Sequence, residues 1–314
     1  MKNEDIDAIL KTLGLTFSRV RADVALAGSP ERSLERAAVE DAGGGLWVVE
    51  RHDPRLAARK QEIAAAAAFF SGRVPEVKAS LEFAAGRFIA EYGGAAWQVT
   101  PYVHGVELDR PAYAFEGWRG EALADLLIRF RRAALDMPAQ ARADDFSLPA
   151  FIRDLAGKLT VRERPLFERI YPGVVGLERG LFPRIGGIPR AFCHGDFHPL
   201  NVIWSPTGIN GLIDLEFCGV RPETYDAALL IGCVGMEDPR CLTGGLVRGF
   251  VGALRAGAGF SEAGWASLFD LVVALRFAWL SDWLRRGDRE MIDLEAVYID
   301  LLIANRESLE AAWA

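Results

Sequence analysis

The chain has 314 residues, of which 51% are hydrophobic and 25% are charged, a balance typical of a globular protein and not of a disordered or fibrous one. Asp and Glu number 43 against 36 Lys and Arg, so the net charge is −7 and the composition gives no basic footprint for nucleic acid. No apolar stretch is long enough to cross a membrane, and four cysteines without a C-x-x-C pair favour reduced thiols in the cytoplasm.

The first hundred residues carry the pattern of a small antiparallel sheet with a helix packed on it. A short amphipathic helix is predicted at 6–13, because its apolar residues recur at helical spacing before Gly14. A strong alanine-rich helix is predicted at 54–70. The strand-like segments, in chain order, are residues 19–27, 32–40, 46–51, 82–92 and 96–103.

The rest of the chain is predicted to be mainly helical. The helical patterns are clearest at 123–134, 246–254, 265–285 and 294–313. Residues 201–204 and 209–215 interrupt them as a short hairpin, joined by a turn that contains Pro206 and Gly208. The change of character predicts an α+β chain of two lobes, an N-terminal lobe at 1–103 and a helical C-terminal lobe at 104–314.

The segment CHGDFHPLN, which ends at Asn201, places Asp196 five residues before that Asn, and Asp214 and Glu216 follow the hairpin. Phosphoryl transfer to a hydroxyl needs a carboxylate that accepts or orients the proton and oxygen ligands for Mg²⁺. The D-x-x-x-x-N spacing matches the kinase catalytic loop, in which Asp is the base and Asn a metal ligand. This predicts Asp196 as the base and Asn201 and Asp214 as ligands. Glu216 is either a metal or substrate contact or a solvated or salt-bridged carboxylate.

This block resembles the aminoglycoside phosphotransferase and choline kinase family of protein-kinase-like enzymes. The residues that match are 194–201 (HGDFHPLN), 212–216 (LIDLE) and 225–228 (YDAA). The resemblance implies a bilobal protein-kinase-like fold, with a small antiparallel-sheet N-lobe, a mainly helical C-lobe and ATP between them. It implies the same roles for the base and the two ligands, and an orienting role for His194. It also implies that Asp226 holds the catalytic region by hydrogen bonds.

The nucleotide site follows from the same resemblance, with one departure. Family members commonly carry a Lys near the end of the third strand, where this chain has Glu50 and Arg51. We expect Arg51 to hold a phosphate instead, because a guanidinium binds phosphate bidentately. Glu62 on the alanine-rich helix is the expected partner of whichever cation binds the phosphates. A step of one residue reverses the face of a strand, so a Glu50 that faced the nucleotide would weaken ATP binding. The stretch 98–103, with Tyr102, resembles the hinge that meets the adenine.

Other interpretations of these residues stay open. His194, Asp196 and His198 form an H-x-D-x-H run of the kind that metal hydrolases use, although only two further His residues remain to complete such a site. Asp196 and Asn201 alone would be ordinary loop residues that satisfy backbone groups. Aromatic residues of the helix at 265–285 are core residues or walls of an acceptor pocket.

We therefore expect a cytoplasmic kinase that uses ATP and Mg²⁺ to phosphorylate a hydroxyl of a small molecule: an amino alcohol, an amino sugar, or a choline-like or homoserine-like compound. A short match at 274–281 resembles the homoserine kinase branch and favours a small amino alcohol. The alternative from another class is a nucleotide-binding pseudokinase without turnover, since the strand Lys is missing. A protein kinase is disfavoured because 219–241 lacks an A-P-E-like activation segment. The sequence carries no signal for the oligomeric state.

Overall fold

A computed structural model describes residues 1–28, 33–138 and 146–314. The helices are α1 (Asn3–Thr12), α2 (Ala57–Ser71), α3 (Gly117–Ala134), α4 (Leu148–Arg162), α5 (Arg164–Arg179), α6 (Tyr225–Glu237), α7 (Gly245–Gly257), α8 (Glu262–Ala266), α9 (Leu268–Arg286), α10 (Arg289–Ala304) and α11 (Arg306–Trp313). The strands are β1 (Phe17–Val20), β2 (Glu35–Asp41), β3 (Leu46–His52), β4 (Ala90–Tyr92), β5 (Ala95–Pro101), β6 (Arg190–Cys193), β7 (Val202–Trp204), β8 (Ile209–Leu212) and β9 (Gly219–Pro222). The predicted α+β class is confirmed.

The chain divides into two compact units, and each is assembled from separate stretches of sequence. The described parts of the first unit are residues 1–28, 33–108, 132–138 and Leu200–Cys218. Those of the second unit are Asp109–Arg131, residues 146–199 and Gly219–Ala314. The expected lobe boundary at residue 103 stays a prediction.

The first unit contains an antiparallel sheet with the strand order β1-β2-β3-β5-β4 over the described residues. In its register, Val49 of β3 lies opposite Ala37 of β2 and Val99 of β5. Because side chains alternate between the faces of a strand, these residues share one face. That face packs against Ile6 and Ile9 of α1 in a common apolar core, and we call it the α1 face.

A hairpin from the middle of the chain completes the first unit. β7 and β8 pair antiparallel, with Val202 opposite Leu212, as the hairpin prediction requires. The backbone N–H of Leu212 donates to the carbonyl of Glu76 at 2.9 Å, and the N–H of Val106 donates to the carbonyl of Trp204 at 2.9 Å. Both strands of the hairpin are therefore hydrogen-bonded to the N-terminal part of the first unit, β7 to Val106 and β8 to Glu76.

The second unit is mainly helical, apart from the two-stranded sheet of β6 and β9. Its central helix, α9, is buried from Leu268 to Phe277 and packs against α6 and α10. A buried ion pair links α9 to α10, since Arg276 donates two hydrogen bonds of 2.6 Å to Glu295. Among the helices of the described ranges, none combines the length and the apolar character needed to cross a membrane.

Several predicted elements differ from the structure in their bounds. The strand predicted at 82–92 is a strand only over Ala90–Tyr92, because Gly86 has a φ of 69° and the chain turns there. The helices predicted at 265–285 and 294–313 are each interrupted, at Ser267 and at Asn305. The strand predicted at 19–27 ends at Val20. Arg32, the expected start of the strand 32–40, lies outside the described residues.

Candidate active site

The predicted catalytic segment begins where β6 ends, in the second unit. β6 pairs antiparallel with β9, with Cys193 opposite Gly219. Gly195 has a φ of 84°, in the left-handed region that residues with a Cβ rarely adopt. The chain therefore turns sharply straight after β6, and glycine is the residue that permits this turn.

Asp226, in the first turn of α6, holds this turn in place. Its Oδ2 accepts the backbone N–H of His194 and its Oδ1 accepts that of Gly195, each at 2.8 Å. Asp226 is 2% exposed, and burial raises the pKa of its carboxyl to about 6 against the lowering effect of the two amides. The hydrogen-bonding role expected for Asp226 is confirmed.

His194 is fully buried and contacts the residue predicted as the base. Its Nδ1 accepts the backbone N–H of Asp196 at 3.3 Å. Its ring lies between two aromatic neighbours, with centroids 6.1 Å from Phe130 and 6.1 Å from Phe197. The imidazole is therefore wedged into the core of the second unit and holds the backbone of the loop at residue 196.

The carboxyl group of Asp196 lies beside the ring of His198. The distance from Asp196 Oδ1 to His198 Nε2 is 3.6 Å, too long for a strong hydrogen bond. The His198 ring meets the Trp279 ring edge-on, with centroids 6.1 Å apart, and Trp279 is 5.9 Å from Trp283. Both tryptophans are only partly buried. The His198 ring therefore lies between the Asp196 carboxyl group and the aromatic rings of α9.

The two predicted metal ligands belong to the first unit and flank the same end of the β7–β8 hairpin. The carbonyl of Asn201 accepts the backbone N–H of Ile213 at 3.0 Å, next to Asp214. Asp214 has φ 67° and ψ 59°, and within the described residues it is the one non-glycine with a positive φ. A left-handed backbone costs an L-residue about 1 kcal/mol, and Asp tolerates it better than most. Such strain is concentrated at functional sites.

Glu216 binds a residue that sequence reasoning did not select. It lies on a single 3₁₀ turn that starts after Asp214, and its carboxylate forms an ion pair with the Nζ of Lys60 on α2. Arg59 donates to the Glu216 backbone carbonyl at 3.1 Å. The helical spacing in the sequence could have indicated that Lys60 is buried, because it lies in one stripe of α2 with apolar residues. These are Ile63, Ala64, Ala67 and Phe70.

The two residues predicted to form the phosphate clamp do not contact each other. Arg51 donates to Glu35 of β2 at 2.8 Å, and Glu62 accepts from Arg59 on its own helix at 3.2 Å. Arg51 shares the α1 face with Val49, because the two are separated by one residue on β3. Arg51 and Glu62 are therefore each paired with another residue of opposite charge, and the phosphate-binding roles expected for them stay predictions.

Tyr102 directly follows β5 and bridges two backbone segments of the first unit. Its N–H donates to the carbonyl of Leu46 at 2.9 Å, and its hydroxyl donates to the carbonyl of Ala25 at 3.1 Å. Its ring lies 4.9 Å from that of His104. These contacts fix the position of Tyr102; the hinge role stays a prediction.

The side chains of Asn201 and Asp214 have the donor atoms of a site for a hard metal ion. In the ranges that the structure covers, no group of three or more His, Cys, Asp or Glu side chains is arranged to hold a metal ion. Asn201 and Asp214 offer an amide oxygen and a carboxylate, which are the hard oxygen donors that Mg²⁺ prefers. Mg²⁺ also keeps several waters and uses substrate phosphates as ligands. A set of two protein ligands therefore fits Mg²⁺.

Solved structures of related fold bear on these observations. An aminoglycoside phosphotransferase from Alicyclobacillus acidocaldarius aligns with a TM-score of 0.62 and 14% identity, over 93% of this chain and 92% of that one. An amicoumacin kinase in complex with AMP-PNP, Ca²⁺ and Ami gives a TM-score of 0.69 and 14% identity, over 96% of each chain. A spectinomycin phosphotransferase in complex with ADP and spectinomycin gives 0.66 and 12%, over 98% and 99%. The fold is thus that of protein-kinase-like phosphotransferases, as expected.

The sequence itself decides the family. No curated protein matches the chain. The model of the phosphotransferase enzyme family (APH) matches residues 31–269, which is most of the chain. The expected resemblance to this family is confirmed, and the lean towards its homoserine kinase branch stays a prediction. The chain belongs to the phosphotransferase enzyme family and is a small-molecule kinase.

Proposed function

We propose that this protein transfers the γ-phosphate of ATP to a hydroxyl group of a small molecule, with Mg²⁺ as its metal. The observation that carries the proposal is the buried carboxylate of Asp226, which fixes the backbone of His194 and Gly195 through two hydrogen bonds of 2.8 Å. A rigid loop favours in-line transfer, because the reacting groups must be held within a few tenths of an ångström.

In this mechanism Asp196 accepts or orients the proton of the acceptor hydroxyl. His194 supports it by accepting the N–H of residue 196, so that the carboxylate is presented from a fixed backbone. A base in this position contributes a factor of about 10² to 10⁴ to the rate. His198, 3.6 Å from Asp196, is close enough to exchange a hydrogen bond with it after a small movement.

Asn201 and Asp214 are the proposed ligands of Mg²⁺, whose chemistry would be to neutralise charge on the β- and γ-phosphates. The left-handed backbone of Asp214 supports this assignment, since strain of this kind persists where a side chain must point in one direction. Tyr102 is proposed to contact the nucleotide base, beside the backbone groups that follow β5.

The acceptor is proposed to be a hydroxyl compound of low molecular weight that carries an amine. The similar structures with bound spectinomycin and amicoumacin support the small-molecule class. Trp279 packs next to His198, and Trp283 packs next to Trp279, so aromatic rings lie near the neighbour of Asp196. The faces of such rings attract cationic amines.

The test is the Asp196→Asn variant, assayed for ADP release with Mg·ATP and a panel of amino alcohols, amino sugars, choline and homoserine. We expect kcat to fall by about 10² or more with any accepted substrate, because the base is lost while the shape is kept. Asp154→Asn is the matched control, since Asp154 forms an exposed ion pair with Lys158. Full turnover by Asp196→Asn would remove Asp196 from the role of base.

The pseudokinase is the competing function, and it is favoured by the acidic Glu50 on the strand that would ordinarily supply a Lys. It makes a different prediction for the same protein: Mg·ATP would raise the melting temperature by mass action, and no member of the panel would be phosphorylated. Turnover with any acceptor excludes it.

A further inference from the structure

We propose that Lys60 of α2 supplies the cation that binds the phosphates of the nucleotide, and that Glu216 positions Lys60 and is not a metal ligand. This inference rests on the proposed function, and it concerns which residue performs a task that the strand Lys performs in other kinases. Its basis is the ion pair between the Lys60 ammonium and the Glu216 carboxylate.

The burial of Lys60 is the first argument. Lys60 is 7% exposed, although lysine is among the residues most rarely buried. It occupies a position in the apolar stripe of α2, where Ala or Leu would pack without the cost of desolvating a charge. The attraction to Glu216 offsets the desolvation of the buried ammonium only in part. A lysine in this position is therefore better explained by a further interaction of its charge.

The capacity of the ammonium group is the second argument. A lysine carries three N–H donors, and Glu216 is the single acceptor that the described residues offer to Lys60. Two donors are thus available to an anion. Glu216 stands two residues after Asp214, the proposed ligand of Mg²⁺. The ion pair therefore holds the Lys60 ammonium at the turn where polyphosphate charge would be neutralised.

The third argument comes from the faces of the sheet on which the β3 residues Glu50 and Arg51 lie. Arg51 lies on the α1 face, and its partner Glu35 also forms an ion pair with the N-terminal ammonium of Met1. Glu50 points to the opposite face, beside Arg36 and Gln98 in the sheet register. On the face opposite the α1 face, β3 carries Leu46, Val48, Glu50 and His52, and therefore neither Lys nor Arg. The cation for the phosphates has to come from another element.

In the proposed arrangement the Lys and the Glu of an ion pair known from protein kinases come from different elements than usual. In protein kinases an ion pair between a strand Lys and a helix Glu must form for activity. Here the helix provides the Lys, and the Glu comes from the turn after the metal-binding Asp. The net charge of the pair is the same, and so is its ability to fix an ammonium group. Arg59, which donates to the Glu216 carbonyl at 3.1 Å, strengthens the attachment of α2 to this turn.

The experiment compares a variant that keeps the Lys60 ammonium and loses the Glu216 charge with a variant in which both charges of the pair are removed. One is Glu216→Gln; the other is Lys60→Met combined with Glu216→Gln. The matched control is Lys158→Met combined with Asp154→Asn, which removes an exposed pair of the same composition. Binding of ATP with and without Mg²⁺, of inorganic tripolyphosphate and of adenosine is measured by calorimetry, and the melting temperature of each variant is recorded.

We expect the Lys60→Met, Glu216→Gln protein to bind ATP and tripolyphosphate at least about tenfold more weakly than Glu216→Gln alone, because one charge-assisted contact to phosphate is lost. Adenosine binding and the control variant should change by less than about twofold. Lys60→Arg should keep ATP binding within about fivefold of wild type, since the charge is retained. If the double variant does not fold, Lys60→Gln is compared with Lys60→Arg, and its ATP binding should be at least about tenfold weaker, because only the charge at residue 60 is lost.

Equal ATP affinity in the two Glu216→Gln proteins, or an equal loss for ATP and adenosine, would overturn the role of Lys60. A tenfold loss of the Mg²⁺-dependent part of ATP binding in Glu216→Gln would restore Glu216 as a metal ligand. A wild-type protein that binds neither ATP nor tripolyphosphate refutes the proposed function itself. This outcome is distinct from the other two, in which wild type binds and only the variants decide.

Discussion

Asp226 combines two properties that shift its pKa in opposite directions. Burial disfavours the charged carboxylate, whereas the amides of Gly195 and His194 favour it, and burial is the larger effect. The pKa is thereby raised to about 6 from the ordinary value of 3.8. At neutral pH the ionised carboxylate, which accepts both amides, is the dominant form. Its burial lowers the free energy of unfolding, while its two hydrogen bonds fix the backbone of the loop.

This gives Asp226 a signature in the pH dependence of stability. Between pH 3.8 and about 6 the folded protein binds more protons at this site than the unfolded protein does, so the free energy of unfolding falls as pH rises through this window. We expect the free energy of unfolding of wild type, relative to that of Asp226→Asn, to fall by about 2.4 kcal/mol from pH 4 to pH 7. The whole shift is worth about 3 kcal/mol, at about 1.4 kcal/mol per pKa unit. Urea unfolding at several pH values measures it; a difference that does not vary with pH contradicts it.

At the scale of elements, the attachment of α9 to α10 depends on one buried ion pair. Arg276 is 3% exposed and Glu295 is fully buried, and Trp283 adds a hydrogen bond of 3.3 Å to the same carboxylate. Removing one member of such a pair leaves the other charge buried and unpaired, which costs more than the pair itself contributes.

We therefore expect Glu295→Ala to lower the free energy of unfolding by about 3 to 5 kcal/mol. The control is Asp300→Ala on the same helix, because Asp300 pairs with Arg169 at the surface; its effect should stay below about 1 kcal/mol. Both are measured by denaturant titration. A loss for Glu295→Ala no larger than that of the control would show that the buried Arg276 finds another acceptor or water.

The elements that the sequence predicts well are those whose signal is local. The alanine-rich helix and the β7–β8 hairpin depend on residue propensity and turn residues, so their bounds were predicted within about three residues. The segment 82–92 has strand-like composition, but Gly86 turns the chain there, and tertiary contacts decide such cases. Ser267 and Asn305 interrupt helices whose apolar pattern continues across the break.

The candidate site was predictable in part for a similar reason. Asp226 was identified because its motif is specific. Lys60 was missed because the search for a cation followed the strand, and a lysine in an alanine-rich helix is usually solvated. The partner Glu216 is 156 residues away in the chain, so no local pattern could join the two.

For the whole molecule, the first unit is not a contiguous stretch of chain. Leu200–Cys218 belongs to it, and contributes hydrogen bonds to Glu76 and Val106 as well as the partner of Lys60. A cut after the first hundred residues would expose these backbone groups and leave a buried ammonium without its carboxylate, each at a cost of about 1 to 3 kcal/mol or more.

We expect a fragment of residues 1–108 to show no cooperative thermal transition, whereas the full chain unfolds cooperatively. Circular dichroism during heating, with the full chain as the reference, measures this. Addition of a separate peptide of residues 200–218 at high concentration should restore part of the transition by mass action. A sharp transition in the fragment alone would mean that the first 108 residues fold without the hairpin.

The backbone of Asp214 determines which replacement gives a clean knockout. Alanine there would remove the carboxylate and also raise the energy of the turn, so that a damaged fold and a lost ligand would look alike. Asparagine accepts the same left-handed geometry and differs from the native residue by a single charge. In a mutational screen of this enzyme, Asp214→Asn therefore measures the effect of the lost charge alone. An alanine scan would add the effect of the strained turn and so overstate the chemical contribution of the Asp214 carboxylate.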